Sequence, residues 1–271
     1  KSQIAKGDNR LRILNLKKNY GGAGGFHYGF KTAVKEFNSD WLVCFDDDAY
    51  PKADMLKNFD RLDLDDDISG IAAAVYLPDG SISEMNRPSI NPFKSGVLAL
   101  FKGVFSRGSY HVSDEKYKSP YKLKKVDYCS FVGCFIKVKE IRKRKGLGYP
   151  KKDFFIYADD LVYTQGIGMI GKKIVFAPQL KFIHDQKRKN NLGLLPLWRI
   201  FYLVRNTLFF YKQISGKLYP LIIPYKICIW LIKFNRHLFN WRFYRILFIA
   251  LADGISGKYK RKHKEIMRLS S

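Results

Sequence analysis

Acidic side chains are scarce in this chain. Only 24 Asp and Glu stand against 49 Lys and Arg, a net charge of +25 over 271 residues. Cysteine is scarcer still, and the four present (Cys44, Cys129, Cys134 and Cys228) form no CxxC pair and no metal-ligand spacing. That argues against a cysteine-held zinc site and leaves reduced core cysteines of a cytosolic protein as the expectation. Residues 197 to 252 are strongly apolar, yet no uncharged run there reaches the ~20 residues a membrane-spanning helix needs. The segment NYGGAGGF supplies Gly22 and Gly24 of a dinucleotide fingerprint, but His27 stands where the third glycine belongs, so GxGxxG fails. These residues contain no signal-peptide pattern, internal repeat or low-complexity tract.

The positive charge that is present is uneven. Residues 1 to 179 hold 30 Lys and Arg against 21 Asp and Glu; residues 180 to 271 hold 19 against 3, a net +16. The same last third is rich in Phe, Tyr, Trp, Leu and Ile. Basic, aromatic and apolar together point to an anionic membrane surface as partner. Basic residues alone would point to nucleic acid, but no groove-reading element is visible, so none is expected. Within YKICIWLIKFNRH, Lys226, Lys233 and His237 are spaced to form one polar stripe on an otherwise apolar helix, with Pro220 and Pro224 breaking the segment before it. The expectation is a helix lying in the membrane interface. The alternative is a helical hairpin packed on the rest of the chain.

Apolar runs and helical patterns alternate over residues 1–185, the habit of an α/β domain, and a basic helical region spans 186–271. LRILNL (11–16), WLVCF (41–45), ISGIAAAVYL (68–77), VDYCSFVGCFIKV, KIVFAP and LKFIH read as strands. A helix is expected over Phe26 to Phe37, another after Pro51 with Met55, Leu56 and Phe59 on one face, and a third from the pair Asp159–Asp160. A hairpin-like stretch is expected near SISEM. Residues 88 to 120 read as an irregular loop over a cleft.

The chemistry concentrates where apolar runs end in carboxylates. WLVCFDDDAYP delivers Asp46, Asp47 and Asp48 side by side, and adjacent like charges repel unless something positive sits among them. A second triplet, Asp65 to Asp67, has no apolar run before it and serves as an internal control for a solvated loop. FFIYA ends in Asp159 and Asp160, which fit either a helix N-terminus or a working pair of acids. LKFIH ends in His184, while His27, His111, His237 and His263 have no such setting. The glycines Gly21, Gly22, Gly24 and Gly25 let a backbone approach either a diphosphate or a packed strand.

In order, NYGGAGGF, WLVCFDDDAYP, FVGCFIKV, GLGYPKKDFFIYADD and FAPQLKFIHD resemble the family 2 glycosyltransferases. The similar span is about residues 9 to 185, and FYLVRNTLFF and ADGISGK resemble the rhamnosyltransferase and galactofuranosyltransferase branch of bacterial surface-polysaccharide synthesis. The resemblance implies a GT-A fold: a nucleotide-diphospho-sugar transferase-like mixed sheet flanked by helices, with a C-terminal helical appendage. It implies an inverting, metal-dependent transfer from a nucleotide-sugar donor to a glycan or lipid-linked glycan acceptor, at the cytoplasmic face of a membrane. By the same likeness Asp46, Asp48 and His184 hold Mn²⁺ or Mg²⁺, and Asp47 lies beside the donor ribose or the metal. Asn19, Gly21 and Gly22 lie against the donor, and Asp160, paired with Asp159, is the general base. Two positions depart from the pattern, Val162 where an acid is usual and Gly166 where an arginine is usual. The family's first β-α-β unit is not among these residues, so the resemblance implies a fragment or one part of a split protein, with a separate N-terminal portion as partner. The competing expectation is a non-catalytic remnant that binds a membrane or a partner.

Overall fold

The computed structural model describes residues 10–95, 110–119, 122–186, 195–259 and 261–270. Helix α1 (Gly21–Glu36) leads into strand β1 (Trp41–Cys44), a short strand β2 (Ala49–Pro51) and helix α2 (Met55–Asp60). Strand β3 (Ile68–Tyr76) follows, then a one-turn helix α3 (Asp114–Tyr117) and strands β4 (Lys124–Val126) and β5 (Cys134–Lys137). Helices α4 (Val138–Arg142) and α5 (Asp159–Met169) precede strand β6 (Lys173–His184). Helices α6 (Leu197–Ser215), α7 (Tyr219–Lys233), α8 (Trp241–Ser256) and α9 (His263–Ser270) complete the described chain.

The strands form one mixed sheet in the order β1-β5-β3-β6-β2, with β4 also on β6. Only β3 and β6 run parallel. β4 pairs with the first half of β6 and β2 with its last three residues, so two short strands share one long edge. The alanine-rich β3 is central and buried on both faces. Ala72 and Ala74 belong to one apolar cluster with Phe30 and Val34 of α1 and Tyr163 and Ile167 of α5, while Ile71, Ala73 and Val75 belong to another with Met55 of α2. Small side chains let helices approach a doubly covered strand closely. This mixed α/β sheet flanked by helices is the expected fold class.

A further apolar cluster joins Phe201, Val204 and Leu208 of α6 to Trp230 of α7, Phe243 and Ile246 of α8 and Ile266 of α9. Phe155, just before α5, belongs to that cluster, which ties the helices to the segment carrying the acidic pair.

Several expectations need correction. LRILNL is not a strand: no ladder partner lies beside it among the described residues, and Leu11, Ile13, Leu14 and Leu16 are 46%, 67%, 42% and 40% exposed. An apolar run without a neighbouring edge has nothing to bond to. KIVFAP and LKFIH are one strand, because its pairing with β3 shifts register between Ala73 and Ala74 and absorbs the Pro178 break. The glycine segment is the first turn of α1 and not a turn before it. Pro51 ends β2, and Leu56 points to water. SISEM forms a bridge between Tyr76 and Ile82 followed by a 3-10 turn. Cys44, Cys129 and Cys134 are buried as expected, but Cys228 is exposed on the outer side of α7. Residues 96–109, within the expected loop, and 187–191, around the expected domain boundary, lie outside the described residues.

Candidate active site

β1 runs out at Cys44, and the chain turns within the next four residues, closed by the Ala49 N–H donating to the Asp46 carbonyl at 3.1 Å. β2 then pairs with the end of β6, placing Ala49 opposite His184, and the Asp185 N–H donates to the Asp48 carbonyl at 2.7 Å. Two strand ends are thereby clamped together. One ligand atom each from Asp46, Asp48 and His184 lies within 4.8 Å of the others. His184 is buried, Asp46 half-buried, and Asp47 and Asp48 are exposed.

The protonation of His184 is constrained by its partners. Its Nδ1 lies 2.8 Å from Asn86 Oδ1, and Asn86 is itself fixed by Ser83 Oγ at 2.7 Å and by donating to Ser130 Oγ at 2.9 Å. With Nδ1 donating to an amide oxygen, the neutral ring presents a lone pair at Nε2, which points at Asp48 Oδ1 3.1 Å away. Two acceptors face one another unless a proton or a cation lies between them. Burial raises the Asp46 carboxyl above its ordinary range, partly offset by His184, with Asp48 and Asp47 adding to the rise. A carboxylate, carboxylate and imidazole set of this kind fits one divalent cation.

The acidic pair opens α5 after a strained turn. Phe155 (φ 65°, ψ −57°) sits in a γ-turn closed by the Ile156 N–H donating to the Phe154 carbonyl at 2.8 Å, and Tyr157 and Ala158 also have positive φ. Non-glycine residues held there cost on the order of 1 kcal/mol or more each, and persist only where surroundings enforce them. Here α6 enforces them. Buried Asn206 donates through Nδ2 to the carbonyls of Phe154, Ile156 and Tyr157 at 3.0, 2.8 and 3.0 Å. Beside it, buried Arg205 donates through Nη2 to the carbonyls of Asp153 and Phe154.

Asp160 accepts from the Leu161 N–H at 2.8 Å. Desolvation pushes both acids up, and Asp159 also feels Asp160; the charge of Asp46 raises each of them. Asp46 is thus close enough for its charge to be felt at the acidic pair.

The glycines divide between two jobs. A Cβ on Gly21 (φ 68°) would lie 2.0 Å from the Phe155 carbonyl oxygen, and one on Gly24 would lie 2.2 Å from Tyr20 Cβ. Both are packing requirements, and Asn19 Oδ1 accepts from the Gly21 N–H at 2.8 Å, fixing the entry to α1. Gly22 and Gly25 meet nothing within 4 Å. They line a cleft of about 500 Å³ between α1 and β1, with Phe26, Phe30, Phe45, Asp46 and Asp47. The structure thus gathers Asp46, Asp47 and Gly22 around one cleft, while Gly21 faces Phe155.

A family model described as "Glycosyl transferase family 2" matches residues 2–139. The chain belongs to glycosyl transferase family 2. The family match contains Asp46 to Asp48 and ends before Asp159, Asp160 and His184, of which His184 joins Asp46 and Asp48 through the fold. No curated protein searched matches the chain. A solved structure, "Crystal structure of GalNAc-T7 with UDP, GalNAc and Mn2+", is similar over 92% of this chain at 12% identity and a TM-score of 0.45. The chain spans about half the length of that structure, covering 47% of it.

Sequence reading missed Asn86, Arg205 and Asn206, none of which sits at a strand end. An Asn or Arg inside an otherwise apolar helical run, as in FYLVRNTLFF, is the signal that could have marked the last two. The departures from the family pattern have a local reason at Val162, which packs with Ala23, Phe154, Phe210 and Ile214 where an acid would be buried.

Proposed function

We propose that the chain is an inverting, metal-dependent glycosyltransferase that moves a hexosyl group from a nucleotide-sugar donor to a glycan or lipid-linked glycan acceptor, as in the rhamnosyl- and galactofuranosyltransferase branch. The observation that carries this is the Asp46–Asp48–His184 group, whose ligand atoms lie within 4.8 Å of one another and fit one cation; the charge of Asp46 also raises the proton affinity of Asp159 and Asp160. Asp46, Asp48 and His184 would hold Mn²⁺ or Mg²⁺, which when bound supplies positive charge to a departing nucleoside diphosphate. Asp47 and Gly22, with Asn19 ordering the helix entry, border the cleft where the donor would lie. Asp160 takes the proton from the acceptor hydroxyl as its oxygen attacks the anomeric carbon opposite the departing diphosphate. A base with a raised proton affinity matches that task near neutral pH. Asp159 keeps the pair's charge low and its proton affinity high.

Membrane contact is the second part of this reading. Lys226 lies 4.7 Å from the centre of the Tyr211 ring, and His237 Nε2 is 3.1 Å from the Leu195 carbonyl, so these two members of the stripe read from the sequence turn onto α6 and the segment before it. The outward apolar face is elsewhere. On α8, Phe243, Ile246 and Ala250 are buried, while Trp241, Tyr244, Phe248 and Ile255 stand on the opposite face, with Trp241 66% and Phe248 72% exposed. Exposed Arg242 and Arg245 flank them. A helix apolar on its solvent side with arginines beside it suits peripheral attachment to an anionic leaflet such as the cytoplasmic face. No helix among the described residues is long and apolar enough to cross a membrane. Residues 1–185 would be the transferase domain and 186–271 the attachment region.

A second reading rests on the outer edge of β1, which has no ladder partner among the described residues and borders an apolar cleft. Such an edge accepts a strand from another chain, which fits a split or non-catalytic protein that binds a partner, including a separate N-terminal portion. Release of nucleoside diphosphate from a panel of nucleotide sugars, with and without Mn²⁺, tests the main reading. Mn²⁺-dependent release lost in Asp160→Asn supports catalysis; no release from any donor favours the second reading.

A further inference from the structure

Residues 129–133 join three parts of the fold: α5, the support of His184 and the end of β1. At one end the Cys129 N–H donates to Thr164 Oγ1 at 3.1 Å, and the Thr164 hydroxyl lies 2.8 Å from the Asp160 carbonyl, one turn along α5 from the acidic pair. In the middle, Ser130 Oγ accepts from Asn86 Nδ2 at 2.9 Å, and Asn86 Oδ1 meets Nδ1 of His184. At the other end the Gly133 N–H donates to the Cys44 carbonyl at 3.0 Å, two residues before Asp46. The Ala73 N–H donates to the Gly133 carbonyl at 3.0 Å, so the segment is also fastened to β3.

The segment is a strut with little room to shift. Gly133 has φ 68°, and a Cβ there would lie 2.9 Å from Ala73 Cβ and 2.9 Å from a ring carbon of Phe182. The stretch carrying Asn86 is tied in beside it: the Ser89 N–H donates to the Tyr128 carbonyl at 3.0 Å, and the Asp127 N–H to the Ser89 carbonyl at 2.8 Å.

Asn86 is buried, with Ser83 and His184 both on its Oδ1. Its Nδ2 depends on Ser130. Without that hydroxyl no acceptor for Nδ2 is left among the described residues, and an orphaned buried N–H is tolerated less well than an orphaned carbonyl. Turning the amide over relieves this, because Nδ2 then donates to Ser83 Oγ and His184 Nδ1. A ring that accepts at Nδ1 carries its proton on Nε2, pointing at Asp48, where a cation needs a lone pair.

We propose that Ser130 is a positioning residue for the cation site: it holds the Asn86 amide so that His184 turns a lone pair, not a proton, towards Asp48. The inference rests on the reading of Asp46, Asp48 and His184 as a cation site. Ser130 itself touches none of the three. It acts through one amide and one ring, from a strut whose other bonds reach the strand before Asp46 and the helix that carries Asp160.

The test is Mn²⁺ titration of the full chain, followed by electron spin-echo spectroscopy of the bound ion, which registers a coordinated imidazole nitrogen. The variants are Ser130→Ala and Ser130→Thr, each checked by a thermal melt. Ser130→Cys fills the same space with a poorer acceptor and gives the same test should Ser130→Ala not fold. The wild type is expected to bind one Mn²⁺ with the nitrogen signal present. In Ser130→Ala affinity should fall tenfold or more, and the Mn²⁺ still bound should lose the nitrogen signal. Ser130→Thr keeps the hydroxyl and should restore both. Wild-type affinity in Ser130→Ala overturns the proposal. So does weaker binding with the nitrogen signal intact, which is the mark of a merely structural role, or a threonine variant that behaves like the alanine one. Each of these leaves the cation reading standing, because the wild type still binds. A wild type that binds no Mn²⁺, or binds it without the nitrogen signal, overturns this proposal and the reading of Asp46, Asp48 and His184 together.

Discussion

His184 Nδ1 and Asn86 Oδ1 lie 2.8 Å apart, across 98 residues of sequence. That single contact decides which ring nitrogen is available at the site, because a donor at Nδ1 leaves Nε2 to face Asp48. Asn86→Ala is expected to weaken Mn²⁺ binding by about 10- to 100-fold without changing any ligand, the usual effect of removing the partner that orients a ligating histidine. Mn²⁺ titration of the variant checks this, and unchanged affinity would show that the ring needs no such support.

The acidic pair links function to pH. Both carboxyls have a folded-state affinity for protons raised above the unfolded value, so above the ordinary range near 4 the folded chain holds more protons than the unfolded one. Their contribution to stability is greatest in acid and is lost as pH rises through the raised values. Asp160→Asn removes the buried charge and is expected to raise the melting temperature by about 2 °C or more at pH 8, with a smaller gain at pH 5. The same variant should lower turnover by ~10² or more. Thermal melts at the two pH values test the sign.

Asn206→Leu keeps the size of the side chain but removes three hydrogen bonds to the strained turn. A loss of roughly 2–4 kcal/mol is expected from orphaned buried carbonyls. Turnover should fall with it, since Asp159 and Asp160 ride on that turn. Denaturant melts and donor turnover at a temperature where the variant stays folded measure the two effects separately.

Gly21→Ala and Gly22→Ala form a matched pair. The first places a Cβ 2.0 Å from the Phe155 carbonyl at a positive φ and should cost several kcal/mol or prevent folding; the second meets nothing within 4 Å. Similar stability for the two variants would contradict the packing role assigned to Gly21.

These contrasts show what the chain reveals before folding and what it does not. Asp46 to Asp48 are visible because they follow a strand, whose end is where polar groups meet solvent and ligand; Asp159–Asp160 also end an apolar run, but that run folds as a strained turn and not as a strand. The central strand at 68–77 was equally plain, being apolar on both faces. LRILNL was misread because a strand is a property of a pair of edges, and sequence does not say whether a neighbour lies beside it. The lysine stripe had the right period, but period alone does not say whether a face meets water, lipid or another helix. Asn86 and Asn206 act through carbonyl and imidazole partners that only the fold brings near. No local pattern announces them.

Calorimetric titration of Mn²⁺ into the wild-type chain, Asp48→Ala and the exposed control Asp66→Ala tests the central claim most directly. The triad predicts one site in the wild type and in Asp66→Ala, and none in Asp48→Ala. Equal binding by Asp48→Ala, or no binding by the wild type, would contradict a cation held by Asp46, Asp48 and His184.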